Sequence, residues 1–323
     1  MTRSSFAFGA AMCCLVLVAG CEDPFTPKGP YSDKLVVYGI LTNRSDTQYV
    51  RVYSTYNPPG VNPLGQTVDN VLRGASIVVK GEAGSFQFQE KATPRVDKSR
   101  YTDDLLVYAS YPFSLTLGKT YNLNVITREM GGVSAVVTVP KRGRIQFLNA
   151  YILNGGGSDD ENLVIYGWIR ELTYGVMMRL YLFYDVREGN TWIGHQEEIP
   201  VVDFANDDGS KIYFYPMLRR RQTSGLIQDK EENETFVFSK TTYFEKLGAI
   251  LSRYPVGGVD IKRALVVLTQ VDRDLYAYSK RVNGFEDPFS IRTDLPDYSN
   301  ISGGHGIFGA LVEDSVFVEI TNW

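Results

Sequence analysis

Short runs of alternating apolar and polar residues, broken by turn residues, constrain the fold of this chain more than any other feature of its sequence. Tyr121, Leu123 and Val125, for example, alternate with two asparagines. Successive side chains of a strand point to opposite faces, so this alternation predicts strands with one buried face. The 21 Tyr, 17 Phe and 3 Trp of the chain strengthen that prediction, because aromatic residues favour strands. We therefore expect a mainly β protein.

The predicted strands begin shortly after Lys34 and continue to the end of the chain. They are Leu35–Leu41, Gln48–Tyr53, Ala75–Val79, Phe86–Phe88, Tyr121–Val125, Val133–Val139, Leu163–Ile169, Met177–Val186, Ile199–Phe204, Ile212–Tyr215, Thr235–Phe238, Ile261–Val271 and Ser315–Ile320.

Two segments of the second half have helical spacing instead. Apolar residues of the first recur every three or four positions and predict a helix that ends before Pro255; they are Phe244, Leu247, Leu251 and Tyr254. The second predicted helix is Asp272–Val282, with acids at its start and Lys280-Arg281 near its end, where they complement the helix dipole.

A length of 323 residues predicts about two domains, since one hydrophobic core rarely serves more than about 250–300 residues. Tyr121, which opens a strand just after Gly118, is similar to the tyrosine corner of immunoglobulin-like sandwiches. We therefore expect an immunoglobulin-like β-sandwich over residues 34–141. A larger β-rich C-terminal domain with two packed helices is expected over residues 142–323, after the turn residues that follow Pro140.

The first 20 residues have the pattern of a signal peptide, with Arg3 ahead of an apolar run. Val18-Ala19-Gly20-Cys21 resembles the bacterial lipobox, which implies cleavage before Cys21 and acylation of its thiol. All three cysteines of the chain lie at or before this position, so a disulfide or a cysteine-ligated metal is not expected in the mature protein. A plain signal peptide or an uncleaved anchor is the alternative.

The segment after Cys21 predicts where the protein is displayed. Glu22-Asp23 resembles the surface-export signal of Bacteroidota lipoproteins, and the prolines of residues 21–33 predict an extended tether. We expect a lipid-anchored outer-membrane protein that faces the cell exterior. A solvated tether with acids by chance is the alternative.

Composition and motifs exclude several functions. The net charge of −4 and pI near 5.4 are not those of a nucleic-acid-binding protein. With only His195 and His305, we expect no metal site, no cofactor and no catalytic triad. Gly304–Gly309 matches G-x-G-x-x-G but lacks the following helix and acid of a dinucleotide site, so we expect these glycines to allow positive φ or close backbone packing.

Three groups of acids and one of arginines are the remaining charged candidates. The acids are Asp159-Asp160-Glu161, Asp203 with Asp207-Asp208, and Asp272 with Asp274. We interpret them mainly as solvated loop residues, with a calcium site at one of the loops as the less favoured alternative. Arg219-Arg220-Arg221 is interpreted mainly as a solvated turn or strand edge, with an anionic partner as the alternative. The Pro- and Gly-rich loop over residues 57–65 could form a functional tip.

The order of several short motifs resembles an uncharacterised Bacteroidota lipoprotein family, domain of unknown function 4249. The motifs are the lipobox, Leu35-Val36-Val37-Tyr38-Gly39, Gly118-Lys119-Thr120-Tyr121, Val139-Pro140, Asp272–Tyr278, Asp287-Pro288-Phe289 and Asn300–Ala310. His305 departs from the family pattern, which more usually has an apolar residue there. No catalytic residue comes with the resemblance.

The resemblance implies an outer-membrane accessory or binding protein that is the partner of a TonB-dependent nutrient transporter. The expected contacts are membrane lipid through acylated Cys21, the transporter, and a nutrient ligand that is a glycan or a peptide. A structural or adhesive cell-envelope module is the first alternative. A surface enzyme that degrades glycans or peptides is the second, although nothing in the spacing of the acids singles out a catalytic pair.

Overall fold

The structure is a computed structural model that describes residues 31–57, 69–99, 101–147, 149–222, 231–282 and 298–321. Lys34–Trp323 forms one compact unit, and Met1–Asp33 forms a separate unit. The predicted signal peptide and the lipidation site Cys21 lie outside the described residues, as does the tether up to residue 30. The Asp287-Pro288-Phe289 motif lies outside them too.

The protein is mainly β, as predicted, and the described residues contain two α-helices. The strands are β1 (Leu35–Thr42), β2 (Gln48–Ser54), β3 (Ser76–Gly81), β4 (Gly84–Thr93), β5 (Leu105–Ser110), β6 (Thr120–Thr127), β7 (Gly131–Thr138), β8 (Arg144–Phe147), β9 (Leu163–Ile169), β10 (Gly175–Glu188), β11 (Thr191–Ile199), β12 (Val202–Ala205), β13 (Lys211–Phe214), β14 (Arg219–Arg220), β15 (Glu232–Phe238), β16 (Val259–Val271) and β17 (His305–Glu319). The helices are α1 (Lys240–Ser252) and α2 (Arg273–Val282), and a 3-10 helix covers Ala150–Asn154.

Both predicted helices are therefore confirmed, with α1 ending before Pro255. None of the helices in the described part of the chain is long and apolar enough to cross a membrane. The predicted strand Ile199–Phe204 is wrong as one element, since β11 ends at Ile199 and β12 begins at Val202. Pro200 lies between them and has no N–H to donate to a sheet.

A mixed sheet joins the two halves of the chain, with the strand order β11-β10-β16-β17-β1-β2-β5-β4-β3-β6-β7. Its internal strand β17 runs parallel to β1 and antiparallel to β16. A second, three-stranded sheet has the order β15-β9-β8, and β12 pairs with β13. The long strand β4 pairs with β5 at one end and with β3 at the other, so it connects the two groups of N-terminal strands.

Two hydrophobic clusters lie against one face of this sheet, and β17 contributes to both. Its residues Phe308, Ala310 and Val312 belong to the cluster built mainly from residues 35–139. Further along, Val316 and Val318 pack against the cluster built from residues 152–320. The division of the chain into independent domains at residue 141 stays a prediction, as does the immunoglobulin-like arrangement of the first.

Tyr121, the residue that resembles a tyrosine corner, is hydrogen-bonded to nearby backbone. Its ring is fully buried, and its hydroxyl accepts a hydrogen bond from the Thr116 backbone N–H at 2.6 Å. A buried phenol needs such a partner, and a bond to backbone a few residues upstream is the geometry of the tyrosine corner.

The glycines of Gly304–Gly309 allow close backbone packing inside β17, as predicted. Gly306 has φ +112°, and a Cβ on it would lie 2.0 Å from the carbonyl oxygen of Val37 on the paired strand β1. A Cβ on Gly309 would lie 2.8 Å from the Cβ of Leu275, where α2 packs on β17. The motif therefore serves strand and helix packing.

Candidate binding site

A cleft of about 510 Å³ opens on the side of β1 and β2 that faces away from the hydrophobic cluster. We call it the tyrosine cleft. Its lining combines tyrosine rings with two arginines and polar groups; the residues are Val36, Tyr38, Arg51, Tyr53, Ser54, Thr55, Tyr56, Asp69, Asn70, Arg95 and Tyr101. This size and mixture are usual for sites that bind small molecules.

Strand alternation positions one wall of the cleft. Val37 and Val52 are fully buried in the first cluster, so their neighbours Tyr38, Arg51 and Tyr53 project from the opposite face. Loop residues supply the other wall. Asp69 lies before β3, and Arg95 and Tyr101 lie between β4 and β5.

The aromatic rings and guanidinium groups of the cleft hold one another in place. The Tyr38 and Tyr53 rings meet edge to face, with centroids 6.0 Å apart. The guanidinium carbon of Arg51 lies 4.5 Å from the Tyr53 ring centroid, and that of Arg95 lies 5.1 Å from the Tyr101 ring centroid. Such stacking fixes the plane of each guanidinium group.

One carboxylate serves both arginines. Asp69 Oδ2 lies 2.6 Å from Arg95 Nη2 and 3.5 Å from Arg51 Nη2. Arg95 also donates from Nε to the Asp103 carbonyl oxygen at 3.1 Å, whereas Arg51 Nε is buried and has no hydrogen-bond partner within the described residues. The described lining thus carries two positive charges and one negative charge.

Burial lowers the pKa of the Arg51 guanidinium; Asp69 opposes this shift, and the nearby charge of Arg95 adds to it. The ordinary pKa of arginine is so high that the group stays charged at pH 7. The cleft therefore offers tyrosine faces for a ring or an apolar group and a guanidinium for an anion or a hydroxyl group.

Backbone groups beside the cleft are already paired. Ser54 N–H donates to the Asn70 carbonyl oxygen at 3.1 Å, and Thr55 N–H donates to the Lys34 carbonyl oxygen at 2.9 Å. Leu72 N–H donates to the Val52 carbonyl oxygen at 3.0 Å. These groups therefore do not present an open strand edge, and a ligand in the cleft would meet mainly side chains.

Asp272 and Asp274 lie together at the start of α2, beside a second cavity of about 280 Å³. Asp272 accepts hydrogen bonds from the backbone N–H groups of Ala310 at 2.7 Å and Asp274 at 2.8 Å. Burial raises the pKa of Asp272 to about 6, an effect that these bonds oppose. Acids with a shifted pKa in a cavity are candidates for catalysis.

The partners of these acids favour a structural role. Asp274 accepts hydrogen bonds from the Tyr298 hydroxyl at 2.7 Å and from Asn300 Nδ2 at 3.0 Å. Asn300 in turn pairs with both backbone groups of Phe308. All four carboxylate oxygens of the two aspartates are therefore engaged within the protein, and the network joins α2 to β17.

The acidic loop at Asp159-Asp160-Glu161 lies near the ammonium group of Lys240. Lys240, a buried residue of α1, donates from Nζ to the carbonyl oxygens of Gly157 and Ser158, at 2.9 Å each. Asp203 likewise pairs with Lys211 at 3.0 Å. No group of three or more possible His, Cys, Asp or Glu metal ligands occurs within the described ranges.

The arginine run contacts the protein's own residues. Arg219 pairs with buried Glu234 at 2.8 Å, and the guanidinium carbon of Arg220 lies 5.1 Å from the Tyr174 ring centroid. Strand β14, which consists of Arg219–Arg220, pairs with β10, in agreement with a strand edge. The prediction of a solvated run is wrong for Arg221, which is buried and donates from Nη1 to the Arg170 carbonyl oxygen at 3.1 Å. His195 stacks on Tyr184 with ring centroids 5.6 Å apart, and His305 is an exposed residue of β17.

Sequence reasoning did not identify the tyrosine cleft. The alternation that buries Val37 and Val52 could have placed Tyr38, Arg51 and Tyr53 on one face, but nothing local relates them to Asp69 or Arg95. The loop predicted as a functional tip lies outside the described residues except for Asn57. Tyr56 precedes this loop in the sequence, and Asp69 follows a few residues after it. Both residues line the cleft.

The structure is thus that of a mainly β protein with an open cleft lined by tyrosine and arginine. The chain belongs to the family called domain of unknown function DUF4249, whose profile matches residues 22–316. The family predicted from the motif order is thus confirmed, whereas the Bacteroidota source and the lipid anchor stay predictions. No protein of curated function matches the chain.

Two solved structures have a distant likeness to the chain. One is the C-terminal globular domain of an oligosaccharyltransferase from Pyrococcus abyssi, at 10% identity and TM-score 0.20, covering 73% of this chain and 48% of that one. The other is a DUF4785 family protein from Legionella pneumophila, at 8% identity and TM-score 0.21, covering 72% and 52%. The chain spans about half the length of each, and at these TM-scores the likeness carries no argument.

Proposed function

We propose that this protein is a lipid-anchored binding protein of the outer membrane that captures a nutrient for a TonB-dependent transporter. The tyrosine cleft is the observation that carries the binding role, because it combines exposed rings with oriented cationic donors. The anchor is acylated Cys21, and the acidic residues after it favour display on the cell exterior.

The cleft supports binding over hydrolysis. Among its described lining residues Asp69 is the one carboxylate, and it is held by ion pairs to Arg95 and Arg51. Glycoside hydrolysis by the usual route needs two carboxyl groups placed across the scissile bond.

Membrane fractionation and mild-detergent purification from the native cell test the proposal. We expect the wild-type protein in the outer-membrane fraction and Cys21→Ala outside it, since acyl chains supply the anchor. We also expect a TonB-dependent transporter to stay bound to the purified wild-type protein. Repeated purification without any such transporter would contradict the partnership. Association with an envelope polymer in its place would favour a structural or adhesive module.

A further inference from the structure

We propose that the tyrosine cleft takes a carboxylate-bearing sugar, with the carboxylate on Arg51 and the sugar ring against the tyrosine faces. This inference rests on the proposed binding function and assigns its ligand class. It follows from the unequal pairing of the two arginines, the charge of the cleft and the chemistry of its walls.

The two arginines are not equally occupied. Arg95 has a close ion pair with Asp69 and a second bond to the Asp103 carbonyl oxygen. Arg51 stacks on Tyr53, and the 3.5 Å contact with Asp69 is its one ion pair within the described residues; its Nε is buried and unpartnered, while 32% of its side chain is exposed. A planar guanidinium with unused donors is suited to a carboxylate, which accepts two parallel hydrogen bonds.

The charge of the cleft points to the same ligand. Two guanidinium groups share one carboxylate in the described lining, so a second carboxylate would balance the charge. The lowered pKa of Arg51, caused by burial and by Arg95 against the opposing effect of Asp69, indicates that this cation is not fully stabilised by its present surroundings.

The walls favour a sugar over an extended peptide. Tyr38, Tyr53, Tyr56 and Tyr101 each combine an apolar ring with a hydroxyl group, and Ser54 and Asn70 add polar atoms. A sugar has the same combination of an apolar ring face and polar edges. An extended peptide, in contrast, would gain most by pairing with a strand edge, and the backbone of residues 54 and 55 is already paired.

Binding of the purified protein to an array of acidic and neutral oligosaccharides gives the first test. The strongest acidic ligand and its methyl ester are then compared by calorimetry, because esterification removes only the charge. We expect acidic members to bind, and we expect esterification to weaken binding at least about tenfold, the effect of losing about 1.4 kcal/mol.

Arg51→Gln tests the assigned residue. The variant should bind the acid and its ester with similar affinity, because the preference resides in this guanidinium. Arg44→Gln is the control, since Arg44 is an exposed arginine that pairs with Glu313 outside the cleft. It should keep the wild-type preference. Far-ultraviolet circular dichroism of each variant verifies the fold.

Three results would overturn this inference. Equal affinity for acid and ester would exclude the role of the carboxylate while leaving a sugar-binding protein. An unchanged preference in Arg51→Gln would exclude the assigned residue. Binding of no oligosaccharide would exclude the ligand class, and the proposed function would then still be judged separately by retention of the transporter.

Discussion

At the scale of single residues, Gly306 has the tightest steric constraint in β17. Its positive φ is unfavourable for any L side chain, and a Cβ would collide with the Val37 carbonyl oxygen on the neighbouring strand. We expect Gly306→Ala to lower the free energy of unfolding by about 3 kcal/mol or more, from backbone strain and steric overlap together. Urea denaturation followed by circular dichroism measures this.

Gly84→Ala is the matched control. Gly84 also has a positive φ, +137°, but nothing lies within 4 Å of a Cβ built on it. Gly84→Ala should therefore lower the free energy of unfolding through backbone strain alone, by about 1–3 kcal/mol. Equal losses in the two variants would show that the close approach of β17 to β1 is not the main constraint.

At the scale of elements, Asp272 couples the stability of α2 to pH. Its pKa is raised to about 6 by burial, from an ordinary value of 3.8. The folded state therefore holds the proton more tightly than the unfolded chain. The resulting stabilisation is complete below about pH 4 and is lost as the pH rises through 6. A shift of roughly two units corresponds to about 3 kcal/mol.

We expect this pH dependence to disappear in Asp272→Asn. Between pH 4 and 7, the wild-type free energy of unfolding should fall relative to that of the variant by up to about 3 kcal/mol, as measured by urea titrations at several pH values. Asp208→Asn is the control. Hydrogen bonds from Ser210 lower the pKa of exposed Asp208, so this carboxyl group changes the free energy of unfolding with pH only below about pH 4. Parallel wild-type and Asp272→Asn curves would refute the assignment.

The same scale shows which elements the sequence predicts. Tyr121–Val125 was predicted within what the structure shows as β6 (Thr120–Thr127), because a half-buried strand records its two faces in its alternation. Strand β5 was missed, since its consecutive residues Leu106, Val107 and Tyr108 are all buried and leave no alternation. Strand β11 was missed because it is a largely polar strand at the end of the sheet.

At the scale of the whole molecule, the pairing of β1 with β17 connects the two ends of the described chain. Asn43 near the start exchanges hydrogen bonds with the backbone of Glu313, 270 residues away. Fully buried Phe308 of β17 belongs to the cluster formed mainly by residues 35–139. The N-terminal strands therefore need β17 to complete their core.

We expect a fragment of residues 34–141 to lack a cooperative unfolding transition. Without β17 it would expose the edge of β1 and lose the packing of Phe308, Ala310 and Val312. The same fragment joined to residues 299–313 through a flexible linker should recover the transition. Thermal denaturation of both fragments provides the measurement. Cooperative folding of the shorter one would establish residues 34–141 as an independent domain.

Local sequence patterns were sufficient to predict the mainly β class, both helices, most of the strands and the family. The sequence also contained the tyrosine and arginine residues on the outer face of β1 and β2. The tertiary structure was needed to place β17 between β1 and β16, and to bring Asp69, Arg95 and Tyr101 together with Arg51 in one cleft. Alternation and helical spacing are local periods that a short segment records. Strand pairing and the meeting of loops depend instead on contacts between residues far apart in the chain.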